Sequence, residues 1–111
     1  MACQTPLSLS QTFTSEMTLF ELDEAKAESN LRKHGISFDD AIEVFYDPYA
    51  VLEQDRVVDG ELRWEAIGMV GDVVVLQVAH TVTELDFSEV IRIISARPAT
   101  RKERTRYGEN R

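Results

Sequence analysis

The chain has 111 residues, of which 43% are hydrophobic and 29% are charged, a composition typical of one soluble globular domain. Taken alone, its net charge of −8 argues against a nucleic-acid binder. The sequence has no long apolar run, no secretory signal and no second cysteine beside Cys3, which excludes a membrane span and an internal disulfide and predicts a cytoplasmic protein.

The chain begins with a polar stretch, which predicts a flexible leader over residues 1–16 and a single domain over residues 17–111. A short strand is expected at residues 17–22, where apolar side chains alternate. A capping aspartate follows, and the first helix is expected to run to about Lys33. Gly35 then ends this helix, because glycine adopts the left-handed conformation at little cost.

A second helix is predicted immediately afterwards. Ser37 has the side chain of a helix cap, with an acid three residues later. Pro48 ends the helix, since the residue before a proline avoids helical geometry. Between them, apolar residues recur at helical spacing and form one face: Phe38, Ala41, Ile42 and Phe45.

The middle of the chain predicts an antiparallel meander of four strands. The turn signals Asp59-Gly60 and Gly71-Asp72 separate the first three strands. The fold class is therefore α+β: a strand, two helices, the meander and a C-terminal helix. The strand-like runs are rich in β-branched residues and lie at 50–58, 61–70, 73–82 and 89–95.

Basic residues concentrate at the C-terminal end. Six basic and two acidic residues follow Ala96, so this end carries +4 and residues 1–96 carry −12. Pro98 is expected to begin a helix of good helix formers with almost no apolar face, which needs a partner surface to be stable. Two partners remain open, namely an anionic ligand and the acidic body of the domain itself.

Two histidines are candidates for chemistry, since imidazole titrates nearest neutral pH. His34 follows Lys33 at the predicted end of the first helix, and the alternative is that both residues only complement the helix dipole. His80 lies near a strand end, where it is either a hydrogen-bonded core residue or a side chain at a cleft rim. Two distant histidines give no metal-site spacing and no glycine-rich phosphate loop is present, so no metal or cofactor is expected.

Cations in the strands are candidates for binding phosphate. Arg63 is either part of a surface ion pair or a phosphate clamp. Arg92 interrupts an apolar strand, so it is either exposed or paired with an acid. Tyr107 is a candidate for stacking on a base, with packing as the alternative. The cations of the C-terminal helix spread around its axis, which suits attraction to a nucleic-acid backbone: Arg101, Lys102, Arg104 and Arg106.

Three segments resemble the BrnT toxins of bacterial type II toxin–antitoxin modules: FELDEAKAESNLRKHGISFDDAIEVFYDP, LRWEAIGMV and VIRIISARPATRKERTRY. The resemblance extends from about Phe20 to Tyr107. It implies a RelE-like fold, an endoribonuclease that arrests translation, and a BrnA-type antitoxin that binds the toxin in a hetero-oligomer and contacts operator DNA. The chain departs from the family in its acidic charge and in having Leu22 where the family usually has tryptophan.

Together with the resemblance, these residues predict one groove on the sheet with the C-terminal helix at its rim. The expected reaction is metal-independent RNA cleavage that leaves a 2′,3′-cyclic phosphate. The alternative is a non-catalytic module that binds an antitoxin and acts as a co-repressor, which the acidic charge favours. The catalytic candidates are Lys33, His34, Arg63, His80 and Arg97, and the RNA-binding candidates are Arg92, Arg101, Arg104 and Tyr107.

Overall fold

The computed structural model describes residues 17–110, so the predicted leader lies outside the described residues. The α+β class is confirmed. None of the helices in this part of the chain has the length and apolar character needed to cross a bilayer. The elements are β1 (Met17–Glu21), α1 (Glu24–His34), α2 (Phe38–Val44), β2 (Val51–Val58), β3 (Glu61–Val70), β4 (Val74–Leu85), β5 (Ser88–Pro98) and α3 (Arg101–Glu109).

One five-stranded sheet, in the order β1-β5-β4-β3-β2, organises these elements. Strands β2 to β5 form the expected antiparallel meander. The position of β1 in the sheet was not predicted. It pairs in parallel with β5 and becomes the fifth strand of the sheet. Its partners are residues 88–92, so the second half of β5 has no neighbouring strand on that side within residues 17–110.

The turns and helix ends follow local sequence signals. Asp59 and Gly60 both have positive φ, 52° and 79°, as the tight turn between β2 and β3 requires. Gly35 ends α1 with φ 71°. The last helix begins later than predicted, at Arg101 behind a capping box formed by Thr100, because Pro98 is still part of β5.

Asn30 in α1 closes the open edge of β5. Its side-chain nitrogen donates to the Ala96 carbonyl at 2.8 Å, and its side-chain oxygen accepts from the Ala96 N–H at 3.0 Å, as a neighbouring strand would. The same nitrogen donates to the Ile36 carbonyl at 2.9 Å. The C-terminal end of α1 is therefore fixed beside the end of β5.

The main core lies between the sheet and the first two helices. Helix α2 buries Phe38, Ala41 and Val44 against the sheet. Gly68 is required where α2 crosses β3, because an added Cβ would lie 2.8 Å from Cγ1 of Val44. A smaller cluster of Ile67, Ala99 and Tyr107 packs α3 against the other side of the sheet.

Candidate functional site

The sheet divides the predicted site into two parts. Side chains alternate along β3, so Arg63 points away from the side that Trp64 faces. The ring of His80 contacts Phe45 at the end of α2, whereas Arg97 binds Glu103 on α3. The prediction of one groove is therefore wrong, because the sheet separates His80 from the arginines.

A β-bulge brings two of the arginines to the same face. Arg92 and Arg97 are five positions apart, so they would face opposite sides in a regular strand. The pairing with β4 shifts, since Ala79 is opposite Ser95 whereas the next residue of β4 is opposite Ile93. The extra residue in β5 therefore turns Arg92 and Arg97 to the same face of the sheet. We call the α3 side of the sheet, with Arg63, Arg92 and Arg97, the arginine face.

The side chains of Arg63 and Arg92 lie on either side of Thr81. Thr81 is the register partner of Arg92, and continuation of the β3–β4 register places Arg63 on its other side. Two inter-strand steps separate these arginines, which is about 10 Å between Cα atoms. Thr81 is only 3% exposed, because the two long stems cover it.

Glu61 joins these two guanidinium groups. Its Oε1 accepts from Nη2 of Arg92 at 2.6 Å and lies 3.8 Å from Nε of Arg63. The Nε atom of Arg63 is buried and has no hydrogen-bond partner among the described residues. The terminal nitrogens of Arg63 form no hydrogen bond with residues 17–110 and the side chain is 24% exposed, so Arg63 retains capacity to bind an anion.

Arg97 is held by a bidentate ion pair. Its two terminal nitrogens donate to Glu103 at 2.8 and 2.9 Å. This hydrogen-bonded contact raises the pKa of Arg97 and lowers the pKa of Glu103 to about 2. Because Glu103 engages both terminal nitrogens and neutralises the charge of Arg97, an anionic ligand binds Arg97 strongly only if it displaces Glu103.

Helix α3 is docked on acids of the domain. Arg106 donates to Glu53 at 2.7 Å and to Glu65 at 3.1 Å, and Arg104 donates to the Ala99 carbonyl at 2.9 Å. The prediction that the basic C-terminal end contacts the acidic body of the domain is therefore confirmed for Arg106. The exposed side chains of Arg101 and Lys102 form no ion pair with residues 17–110.

The position of Tyr107 contradicts the predicted stacking on RNA. The residue is 4% exposed and its ring packs against Ile67 and Ala99. Its hydroxyl donates to Oδ2 of Asp47 at 2.6 Å, and the same oxygen accepts from the Met69 N–H. Because stacking needs an open ring face, the structure supports the packing alternative.

Lys33 and His34 are exposed in the last turn of α1, where basic residues complement the helix dipole. Neither side chain has a hydrogen bond or ion pair within the described part of the chain. The Asn30–Ala96 contact fixes this turn at the edge of β5, one residue before Arg97. The two residues therefore lie beside the open edge of β5, on a helix that packs on the α2 side of the sheet, and not on the arginine face.

The opposite side of the sheet contains a groove of about 510 Å³. We call it the aromatic groove, because four aromatic side chains line it together with two carboxylates. Among residues 17–110, no lysine or arginine lines it. The aromatic residues are Phe20, Phe45, Tyr46 and Trp64, and the carboxylates are Glu84 and Glu89.

His80 lies at the base of the aromatic groove. It is 2% exposed, and its ring meets the Phe45 ring edge-on at a centroid distance of 4.8 Å. Burial lowers the pKa of His80, against the weaker opposing effect of a hydrogen bond to the Val78 carbonyl. The core alternative is thus the one the geometry supports, and a neutral imidazole here cannot reach a phosphate on the arginine face.

The sequence analysis missed the acids that organise the arginine face. Alternation along β3 was a sufficient signal for Glu61, which is in phase with Arg63. The capping box offered a signal for Glu103, which follows Thr100 by three residues. Within residues 17–110, no group of three or more His, Cys, Asp and Glu side chains is placed to hold a metal ion.

Comparisons with known proteins agree with this architecture. A family model described as the ribonuclease toxin BrnT of type II toxin–antitoxin systems matches residues 22–103. The crystal structure of the Brucella abortus ribonuclease toxin BrnT is similar in fold, with a TM-score of 0.53 and 24% identity over 77% of this chain and 99% of that chain. No curated protein matches the sequence significantly.

Proposed function

The chain belongs to the BrnT family of ribonuclease toxins of type II toxin–antitoxin systems, and from this premise we propose a metal-independent endoribonuclease that cleaves RNA on the arginine face. Cleavage inhibits translation, and a BrnA-type antitoxin neutralises the toxin in a hetero-oligomer that reaches operator DNA through the antitoxin. The fold is of the RelE type in this proposal, and residues 17–111 act as one toxin domain behind a leader.

One observation supports placing RNA on the arginine face. The Nε of Arg63 is a buried donor without a partner in the described chain, beside a second guanidinium from Arg92. A phosphate oxygen accepts such donors in a geometry that the planar guanidinium favours. An anion bound there would accept a hydrogen bond from Arg63 and reduce the repulsion between the guanidinium groups of Arg63 and Arg92.

The reaction requires transfer of a proton, in-line attack and release of an oxygen. A base takes the proton of the 2′-hydroxyl, whose oxygen attacks phosphorus while the bond to the 5′ oxygen breaks and an acid protonates that oxygen. Arg63 and Arg92 stabilise the added negative charge. We assign the base to Glu61, which becomes available when Arg92 turns to the phosphate.

The remaining cations guide the strand. Arg97 binds phosphate in exchange for Glu103, while Arg101, Lys102 and Arg104 attract the RNA backbone from α3. Lys33 and His34 lie beside the open edge of β5, away from Glu61, and in this proposal they bind RNA phosphates next to the scissile one. Local cations therefore bind RNA on a chain whose net charge is −8.

Digestion of a defined RNA in the presence of EDTA tests the proposal. We expect cleavage to continue, with products that carry a 2′,3′-cyclic phosphate and a 5′-hydroxyl, because the side chains supply the charge stabilisation. Abolition of activity by EDTA, or products that lack the cyclic phosphate, would refute the mechanism.

A non-catalytic co-repressor is the second candidate function. The ion pairs of Arg92 and Arg97 with acids of the same chain favour it, since they satisfy the cations without RNA. Expression of the chain alone in a bacterial host separates the two functions. The ribonuclease arrests growth, and Arg97→Ala or His34→Ala relieves the arrest while antitoxin binding persists, whereas the co-repressor binds its partner without arresting growth.

A further inference from the structure

We propose that the aromatic groove is the docking site for the antitoxin, and that it takes an apolar segment flanked by basic residues. This inference rests on the proposed toxin–antitoxin function. It places the antitoxin and the RNA on opposite faces of the sheet. Three features of the described residues lead to it, namely exposed apolar surface, unpaired carboxylates and an unused acceptor on His80.

The apolar surface of the groove is exposed. Tyr46 is 73% exposed and Leu52 is 55% exposed, and both line the groove with Trp64 between the strands and α2. Grouped aromatic and aliphatic side chains around a concavity are typical of sites that bind an anchor residue of a partner protein. The groove therefore selects an apolar anchor.

The charge of the groove selects basic residues beside that anchor. Glu84 and Glu89 are register partners on neighbouring strands and both line the groove. Like charges directly opposite each other destabilise a sheet. Neither carboxylate has an ion pair with a cation of the described chain. A lysine or arginine from a partner would relieve this repulsion.

His80 offers a hydrogen-bond acceptor at the base of the groove. Its Nδ1 lies 3.4 Å from the Val78 carbonyl, a contact that favours the tautomer with the proton on Nδ1. In a neutral imidazole the other nitrogen, Nε2, then accepts. No donor for Nε2 is present among the described residues, so a donor of the partner can bind it.

RNA fits this groove poorly, although aromatic rings can stack on bases. Proteins that bind single-stranded nucleic acid combine such rings with a positively charged path for the backbone. The described lining of the aromatic groove has two carboxylates and no cation, so it repels phosphate. Its chemistry therefore favours a basic protein segment.

Reversal of the groove charge tests the inference in the full chain. Glu84→Lys combined with Glu89→Lys is expected to raise the Kd for the antitoxin encoded beside the toxin gene by about tenfold or more, because basic residues of the partner would then meet like charge. The control combines Glu24→Lys with Glu28→Lys on the exposed side of α1, which changes the net charge equally and leaves Kd unchanged. An unchanged Kd in the groove variant would overturn the inference.

A second measurement needs no substitution. Trp64 is the single tryptophan of the chain and lines the groove, so fluorotryptophan labelling gives one fluorine NMR signal that reports on the groove. Saturating unlabelled antitoxin is expected to shift this signal. An unmoved signal, or one that moves with an uncleavable RNA and not with antitoxin, would overturn the inference.

These readouts separate the inference from the proposed catalysis. If wild-type protein leaves RNA intact but antitoxin shifts the Trp64 signal, the ribonuclease proposal fails and the docking site stands. If RNA is cleaved and the Trp64 signal ignores antitoxin, the docking site fails and the ribonuclease proposal stands.

Discussion

The two faces of one sheet differ in how their polar groups are satisfied. On the arginine face, acids of the chain bind Arg92, Arg97 and Arg106 at 2.6 to 3.1 Å. On the opposite face, Glu84 and Glu89 face each other without a cation of the described chain. The first face is a network of ion pairs in which two buried donors, the Nε atoms of Arg63 and Arg106, have no hydrogen-bond partner among the described residues. The second is an open acidic and aromatic groove.

This difference explains how an acidic chain can belong to a family of ribonuclease toxins. Net charge averages over surfaces that act separately, and screening limits the interaction of exposed charges to about 10 Å at moderate salt. In our proposal, the arginine face therefore attracts RNA locally while the aromatic groove attracts a basic partner. A change on one face should therefore leave the activity of the other face largely intact.

The largest effect is expected from Arg63→Ala. Loss of this guanidinium removes charge stabilisation at the phosphate, so the cleavage rate should fall by about 10²–10³-fold. Arg56→Ala is the matched control, because Arg56 is exposed on β2 with 75% of its side chain accessible. Antitoxin affinity should stay as in wild type, and full activity of Arg63→Ala would remove this residue from the site.

A smaller effect is expected from Gly68→Ala, which perturbs the groove side. The added Cβ would press on Val44, and we expect the free energy of unfolding to fall by about 1–3 kcal/mol in urea titrations. Since α2 also carries the wall of the groove, antitoxin binding should weaken more than RNA cleavage does.

Gly108→Ala is the control for this change, because nothing lies within 4 Å of an added Cβ there. Alanine in a helix is favoured over glycine by about 0.5–1 kcal/mol, so the control should be slightly stabilised. Equal stability of the Gly68→Ala variant and wild type would show that α2 does not pack tightly on β3.

The smallest expected effect concerns the dependence of the free energy of unfolding on pH, since His80 and Glu103 lose their contributions over different pH ranges. The pKa of His80 is lowered from 6.5 by burial, so its contribution to stability is complete above pH 6.5 and is lost as pH falls through the lowered value. The pKa of Glu103 is lowered from 4.5 to about 2, so its contribution is lost only between those values.

Urea unfolding across this range measures the order of loss. His80→Leu should reduce the pH dependence of the free energy of unfolding just below pH 6.5. Glu103→Gln should reduce it between pH 4.5 and about 2. A pH dependence above pH 4.5 that is identical in His80→Leu and wild type would contradict the assignment of that part to the buried imidazole.

The order of elements could be predicted because local signals determine it. The Asp59-Gly60 turn, the cap at Asp23 and the glycine at the end of α1 act over a few residues, and all three are present in the structure. The place of β1 could not be predicted in the same way. Its parallel pairing with β5 joins segments far apart in sequence and has no local signature.

The candidate site was predicted only in its parts. The residue types were informative, since Arg63 and Arg97 share one face with α3. Their relation to His80 required the register of three strands, and the common face of Arg92 and Arg97 depends on a bulge. A pattern of period two cannot reveal an inserted residue, so the sequence suggested one groove where the structure has two surfaces.

Titration with an uncleavable RNA tests the central claim most directly. In one NMR sample, the Nε–H signals of the arginines report on the arginine face and the fluorine signal of Trp64 reports on the aromatic groove. We predict that RNA shifts the Arg63 signal and leaves Trp64 unchanged. A shift of Trp64 with no change at Arg63 would contradict the division of the sheet into an RNA face and a partner face.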